Sequence, residues 1–432
     1  MIRWFYSCLM WLVQPLLKRK LMRRSVMEPG YGQYIDERFG RYAQSVSAHA
    51  GPTVWLHTVS LGETRAAAVL VTALRQQLPQ MRLLLTHGTA TGRAEGLKLL
   101  QTGDLQAWQP WDTPAVVQRF LNHFKPDLGI LMETEVWPNL VHGCQRLCVP
   151  LVLVNARLSE KSLRQAQRLG WLARPAFAAL TAVWAQTPQD AQRLQSLGAK
   201  VQGVLGNLKF DVVPNASQLA LGQQWRAQLS LPVVLFASSR EGEELALLQL
   251  LGLASRDAAK VQWLIVPRHP QRFDAVAAMI ESHGFAVQRR SAWGQGGPTA
   301  VADEKLQIWL GDSLGEMALY YGLADAALLG GSFEPLGGQN LIEAAACGCP
   351  VVMGPHTFNF LEAAEQALAA GAALRVADLA QAVAVASTLC FDSHRLENVR
   401  LAANRFAQSH QGAAQRLAGV VVREISHGTL QK

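Results

Sequence analysis

A chain of 432 residues is too long for one ordinary core, and two domains are the expectation. With 50% hydrophobic and 17% charged residues there is ample material for two cores, and a disordered chain is excluded. The formal charge of +8 favours anionic partners, of which nucleic acid ranks last, because the basic residues are mostly scattered and no RNA-reading or zinc-finger signature is present.

Residues 4–17 are almost wholly apolar and include Trp4, Phe5, Tyr6 and Trp11; Lys18, Arg19, Lys20, Arg23 and Arg24 follow. At about 1.5 Å per residue such a run reaches roughly 21 Å, short of the roughly 30 Å hydrocarbon core. Arg3 precedes it, as in a signal peptide, but an A-x-A cleavage site is missing and basic residues follow at once. The expectation is an uncleaved anchor, inserted shallowly or spanning imperfectly, with its basic cluster on anionic cytoplasmic lipid. A buried first helix is the alternative.

From residue 53 the chain alternates short apolar runs with longer amphipathic ones, the rhythm of βαβ units. Strands are predicted at 53–57, 82–86, 128–132, 151–154, 182–184 and 201–204, with a helix starting near Gly62. Their apolar character throughout suits parallel strands covered on both faces. A break with Pro214, Asn215 and Pro232 follows, and the rhythm restarts at 233–237, 263–266, 286–288, 306–309, 326–329 and 351–352. Residues 290–305, rich in Gly, Ser, Pro and charge, read as a surface loop. Two Rossmann-like halves joined near 208–232 would leave a cleft suited to a nucleotide-activated substrate. Cysteines 8, 144, 148, 347, 349 and 390 form no disulfide framework, and Cys347-Gly-Cys349 lacks a second ligand pair for zinc. They read as reduced thiols of a cytosol-facing protein that needs no metal.

Ser60-Leu61-Gly62-Glu63 recurs as Ser313-Leu314-Gly315-Glu316, and Ser238-Ser239-Arg240-Glu241 is a third Ser-x-x-Glu. That pattern is also a capping box, the commoner origin of any one of them. The first, however, follows a predicted strand at the rim where α/β sheets bind ligands, and Gly62 allows close approach. Glu133 and Glu135 follow the strand at 128–132 and are either rim carboxylates or the solvated start of a helix at Pro138. Lys209, in Gly206-Asn207-Leu208-Lys209-Phe210-Asp211, is either a cation for an acidic substrate or an ordinary surface lysine. Arg268 and His269, between Pro267 and Pro270, suit a phosphate or form a basic loop. Gly330-Gly331-Ser332 and Gly337-Gly338-Gln339-Asn340-Leu341-Ile342-Glu343 make a glycine-rich approach to a helix, an anion site in which Glu343 could accept bonds from ribose hydroxyls. Neither G-x-G-x-x-G nor a Walker lysine is present.

Taken together and in this order, these segments resemble the Kdo (3-deoxy-D-manno-octulosonic acid) transferases of Gram-negative lipopolysaccharide assembly. The matching stretches are 57–64, 110–113, 131–140, 155–162, 206–211, 237–244, 266–273, 311–317, 330–343 and 352–360, the last holding Gly354-Pro355-His356-Thr357-Phe358-Asn359-Phe360. The resemblance implies an α/β GT-B glycosyltransferase fold, two Rossmann-like domains with an interdomain cleft plus the short N-terminal membrane anchor. It implies CMP-Kdo as donor, the lipid A precursor (lipid IVA) as acceptor, and inversion without metal or other cofactor. It implies work at the cytoplasmic face of the inner membrane, on its anionic lipids and without nucleic acid. The implied organisation is an anchor at 1–24, an acceptor-binding domain at 25–211, a linker at 212–232 and a CMP-sugar-binding domain at 233–432, whose last helix is free to pack back on the first. Matched residue by residue, Glu63 is the proton acceptor, and Glu133 and Lys209 stabilise the transition state. Arg268, His269, Leu314, Gly315, Glu316, Asn340, Leu341, Ile342 and Glu343 match CMP-binding positions.

Those roles make physical sense. A carboxylate can take the acceptor hydroxyl's proton, and cationic and backbone donors can hold the charge gathering on CMP. The helix dipole is expected to keep Glu63 ionised. The chain departs from the family at His87-Gly88-Thr89-Ala90-Thr91-Gly92, where Thr-x-Thr-Pro-Thr-Gly is usual, and at Arg240 and Gln339, where His is usual. Competing readings are a UDP-sugar transferase or epimerase of the same fold, or a non-catalytic membrane scaffold.

Overall fold

The computed structural model describes residues 2–211, 213–253, 261–299 and 307–429. They fall into two compact units, one running to Asp211 and resuming at Gln411, the other lying between them in sequence and ending at His410.

The first unit is a seven-stranded parallel sheet of β1 (Thr53–Thr58), β2 (Arg82–His87), β3 (Leu105–Trp108), β4 (Leu128–Met132), β5 (Leu151–Ala156), β6 (Ala182–Ala185) and β7 (Val201–Val204), in the order β3-β2-β1-β4-β5-β6-β7. Both faces are covered. Val54, Leu56, Ile130 and Val152 pack against the helix Leu61–Gln77, while Trp55, Leu131 and Leu153 pack against Phe120, Leu121 and Phe124 of the helix Pro114–Phe124. This double burial explains why these strands read as apolar runs.

The chain returns to this unit after His410. Ala414, Leu417, Ala418, Val421 and Ile425, at helical spacing on the helix Ala413–Thr429, are buried against Leu70, Val71 and Leu74. Asp211 ties the start of that helix, accepting from the N–H groups of Gly412 at 2.6 Å, Ala413 at 3.3 Å and Ala414. A carboxylate there satisfies orphan donors and meets the positive end of the dipole. Residues 411–429, counted with the second domain in the sequence reading as a helix free to pack back on the first, therefore belong to the first core.

The expected anchor is a helix, Ile2–Met27, lodged against the first unit by polar contacts. Tyr6 donates to Asp112 Oδ2 at 2.8 Å, Ser7 Oγ to Asn139 Oδ1 at 2.9 Å, and Trp111 Nε1 to the Met10 carbonyl at 3.3 Å. Trp4, Phe5, Leu9, Trp11, Leu12 and Leu16 remain exposed. Among the described residues no helix is long and apolar enough to cross a membrane.

The second unit is a seven-stranded parallel sheet of β8 (Val233–Ser239), β9 (Gln262–Pro267), β10 (Ala286–Arg289), β11 (Gln307–Leu310), β12 (Ala326–Leu329), β13 (Val351–Met353) and β14 (Ala373–Arg375), ordered β10-β11-β9-β8-β12-β13-β14. Leu306, placed at a strand start by the sequence reading, lies outside the described residues, as do Val212 of the expected linker and 300–305 of the expected loop. The rest of that linker is not a bare connection. Its helix Ala216–Ala227 crosses the helix Met317–Leu323 so closely that a Cβ on Gly222 would sit 2.2 Å from the Leu319 carbonyl oxygen, and one on Gly322 would sit 2.5 Å from that of Leu219. The expected loop is likewise anchored, since Trp293 is buried edge-on to both Trp225 and Trp309. The edge strands β3 and β14 were not anticipated from the sequence, whereas the edge strands β7 and β10 were.

Candidate active site

In the first sheet β1 lies between β2 and β4, so the connections leaving β1 and β4 diverge and open a crevice at their C-terminal ends. Glu63 enters it from the first turn of the helix Leu61–Gln77, whose N-cap is Ser60. Its Oε2 accepts from Val59 N at 2.8 Å, its Oε1 accepts from Ser60 Oγ at 3.0 Å, and its own N–H donates to Ser60 Oγ at 3.3 Å. The cap contacts are thus real, and they also aim the carboxylate.

Glu133 follows β4 at φ +56°, a left-handed conformation that a non-glycine side chain adopts under constraint. Its N–H donates to the Val154 carbonyl at 3.2 Å, and its carbonyl accepts from Arg157 N at 3.3 Å. Its Oε1 lies 3.8 Å from Lys209 Nζ. Lys209 rides on the turn Leu208–Asp211, fastened by Leu208 N donating to Asn155 Oδ1 at 3.0 Å, at the end of β5. Glu135 completes the cluster, accepting from Trp137 Nε1 at 3.0 Å. The structure therefore brings Glu63, Glu133 and Lys209, scattered over the sequence, to one crevice. Glu135 was visible as half of a carboxylate doublet but received no role.

Burial raises the Glu63 carboxyl above its ordinary range, opposed by the Val59 and Ser60 donors and reinforced by the Glu133 charge. Desolvation is the largest of these effects, and it makes Glu63 a stronger base. Glu135 is pushed up to about 7, first by burial and further by Glu63 and Glu133, against the Trp137 bond.

In the second sheet the corresponding switch lies between β8 and β12. Arg268 and His269 follow β9, and the Arg268 Nε donates to Gln339 Oε1 at 3.2 Å. Gln339 and Arg240 both border Gly331, at φ +69°, where a Cβ would meet Gln339 Nε2 at 3.3 Å and Arg240 Cγ at 3.5 Å. Two of the departures thus gather with Arg268 at one rim. Leu314 is exposed, the Gly315 carbonyl accepts from Gln218 Nε2 at 3.0 Å, and Glu316 accepts from Arg290 Nη2 at 2.9 Å and from the Ser313 hydroxyl. Glu316 is the N-cap residue of the helix Met317–Leu323, one turn earlier than a capping box requires.

Asn340 caps the helix Leu341–Ala346, its Oδ1 accepting from Ile342 N at 3.1 Å. Leu341 and Ile342 are core side chains and Glu343 is half-buried. With six residues this helix carries little dipole, so the expected anion site there is weaker than its glycine-rich approach suggested. The third Ser-x-x-Glu misled: Glu241 is exposed, while Glu243, 1% exposed, accepts from Gly331 N at 2.8 and 2.9 Å and from Arg240 N at 2.9 Å. Beside it the fully buried Glu244 is held by both Arg272 terminal nitrogens, at 2.7 and 3.0 Å.

Two doubly wound parallel sheets, one with a carboxylate and lysine crevice and one with a basic rim, define the class as a two-unit Rossmann-like α/β protein. A glycosyltransferase from Rickettsia africae ESF-5 shares this fold at a TM-score of 0.53 and 13% identity, over 87% of this chain and 99% of that one. A sequence model described as 3-deoxy-D-manno-octulosonic-acid transferase (kdotransferase) matches residues 33–212. The 3-deoxy-D-manno-octulosonic acid transferase of Bordetella pertussis is 47% identical over 412 residues, 93% of this chain and 94% of that one. The Haemophilus influenzae enzyme of the same name is 32% identical over 424 residues, 96% of this chain and 97% of that one. The chain belongs to the Kdo transferase family.

Proposed function

We propose that this protein is an inverting, metal-independent GT-B enzyme that transfers Kdo from CMP-Kdo to a hydroxyl of the lipid A precursor in lipopolysaccharide biosynthesis. The observation that carries the reading is the crevice between β1 and β4, where one half-buried carboxylate, Glu63, stands with the Glu133–Lys209 pair in a chain of this family. Glu63 takes the proton of the acceptor hydroxyl as its oxygen attacks the anomeric carbon and the bond to CMP breaks. Lys209, steered by Glu133, faces the carboxylate of the sugar and offsets its negative charge in the transition state. In the second unit Arg268 and His269 hold the CMP phosphate, with the segments Leu314–Glu316 and Asn340–Glu343 as further donor contacts.

We further propose that the first helix lies in the cytoplasmic leaflet of the inner membrane. The exposed Trp4, Phe5, Leu9, Trp11, Leu12 and Leu16 would enter the acyl boundary, with Lys18, Arg19, Lys20, Arg23 and Arg24 on anionic headgroups.

The test is to incubate the purified protein with CMP-Kdo and tetra-acylated lipid A precursor and weigh the lipid by mass spectrometry. The expected result is a gain of one or more Kdo units, inhibited by CMP and not by UDP. An unchanged lipid, or equal inhibition by UDP, overturns the reading.

A further inference from the structure

Beside Glu63 the first unit holds a pocket of about 220 Å³, bordered by Arg38, Val59, Gly88, Gln109, Trp111 and Glu135. Arg38, in the turn Ile35–Phe39, is only 6% exposed. Its guanidinium lies over the Trp108 ring at 3.9 Å, and Nη2 donates to the Gly88 carbonyl at 2.9 Å. Its Nε is buried with no hydrogen-bond partner among the described residues, where it also makes no ion pair within 4.0 Å. The neighbouring carboxylates are otherwise engaged. Glu37 Oε2 accepts from Arg93 Nη1 and Trp108 N, both at 2.9 Å, and Asp112 accepts from Asn139 N, Leu140 N and the Tyr6 hydroxyl. A buried guanidinium without a counter-ion is unfavourable unless something supplies one.

We propose that this pocket is a subsite for an anionic, oxygen-rich group carried by the acceptor next to its reacting hydroxyl, with Arg38 as its counter-ion. The inference rests on the proposed transfer reaction. Its location follows from the pocket wall: Val59, which donates its N–H to Glu63, lines the pocket with Arg38 and Gly88, and a Cβ on Gly88 would sit 2.8 Å from Val59 Cγ1, so a group on Arg38 is a near neighbour of the base. Arg38 stays cationic at neutral pH although burial lowers it to about 10. Burial also raises Glu135 to about 7 and Asp112 to about 6, which weakens the repulsion an incoming anion would meet. The group is either a phosphate on the lipid headgroup or the carboxylate of a Kdo already attached.

The test compares wild type with Arg38→Met and, in case that variant folds poorly, Arg38→Lys. The kcat/KM is measured for the phosphorylated acceptor, its dephosphorylated form, and the acceptor already bearing one Kdo. If phosphate is read, wild type discriminates against the dephosphorylated lipid by about 10- to 100-fold and the Met variant loses that discrimination. If carboxylate is read, the Met variant loses the same factor only on the Kdo-bearing acceptor. Independently of transfer, inorganic phosphate and acetate are titrated against melting temperature in saturating CMP, and at least one should stabilise wild type more than either variant. Equal discrimination in all three proteins overturns the subsite while leaving the transferase reading intact. A wild type that transfers no Kdo sinks that reading, and the anion titration then decides the pocket alone: equal melting shifts in all three proteins overturn it.

Discussion

Glu63 and Glu243 occupy matching places in the two sheets, each following the strand at its sheet's switch point, and each receives backbone N–H bonds. Their bonds differ in reach. Glu63 binds Val59 and Ser60, four and three residues away, and keeps its carboxylate at the edge of a crevice. Glu243 binds Gly331, 88 residues away, so it stitches the loop after β8 to the loop after β12 and has no face left for a substrate. A carboxylate satisfied by its own turn remains free for chemistry, whereas one satisfied across a sheet is structural. The two sequences, Ser-Leu-Gly-Glu and Ser-Ser-Arg-Glu-Gly-Glu, do not announce this difference.

On the catalytic side, Lys209→Met should lower the transfer rate by about 10²- to 10³-fold, because an ammonium poised in the crevice is removed while the proposed CMP site in the other unit is untouched. Steady-state rates beside CMP calorimetry check this, and unchanged kcat would return Lys209 to an ordinary surface cation. On the structural side, Glu243→Gln should cost about 2–4 kcal/mol in stability, since an amide offers one acceptor oxygen where two now serve Gly331 and Arg240. Denaturant unfolding measures it, and CMP affinity should fall only as far as the fold does.

A smaller effect concerns Glu135. With its folded-state value near 7 against an ordinary 4.5, the folded protein holds more protons than the unfolded chain across that interval. Stability from this group is therefore lost as pH rises from about 4.5 through 7. Glu135→Gln should flatten that decline, gaining about 1–2 kcal/mol on wild type at pH 8 relative to pH 5. Parallel pH slopes for the two proteins would show that Glu135 is not strained by burial.

Much of this architecture was legible in the sequence because parallel strands must be apolar on both faces, so an apolar run precedes each rim motif. The crevice residues Glu63, Glu133 and Lys209 were visible for the same reason, as polar groups placed just after such runs. Of the four edge strands, β7 and β10 were read, although β7 alternates between half-buried and exposed residues, while β3 and β14 escaped. Arg38 and Glu243 gave no local signal at all. Their meaning lies in groups 50 and 88 residues away, Gly88 and Gly331, and only the folded chain brings these together. The packing of the helix Ala413–Thr429 on the first unit depends likewise on Asp211, some 200 residues earlier.

The most direct measurement is the transfer rate and melting temperature of Glu63→Gln, taken on the same preparation. Glutamine can still accept from Val59 N–H at the third helical position but cannot take a proton. The account predicts melting within a few degrees of wild type, normal CMP affinity, and transfer reduced by about 10²- to 10⁴-fold. Near-normal transfer with a lowered melting temperature would contradict it and leave Glu63 as nothing more than a cap.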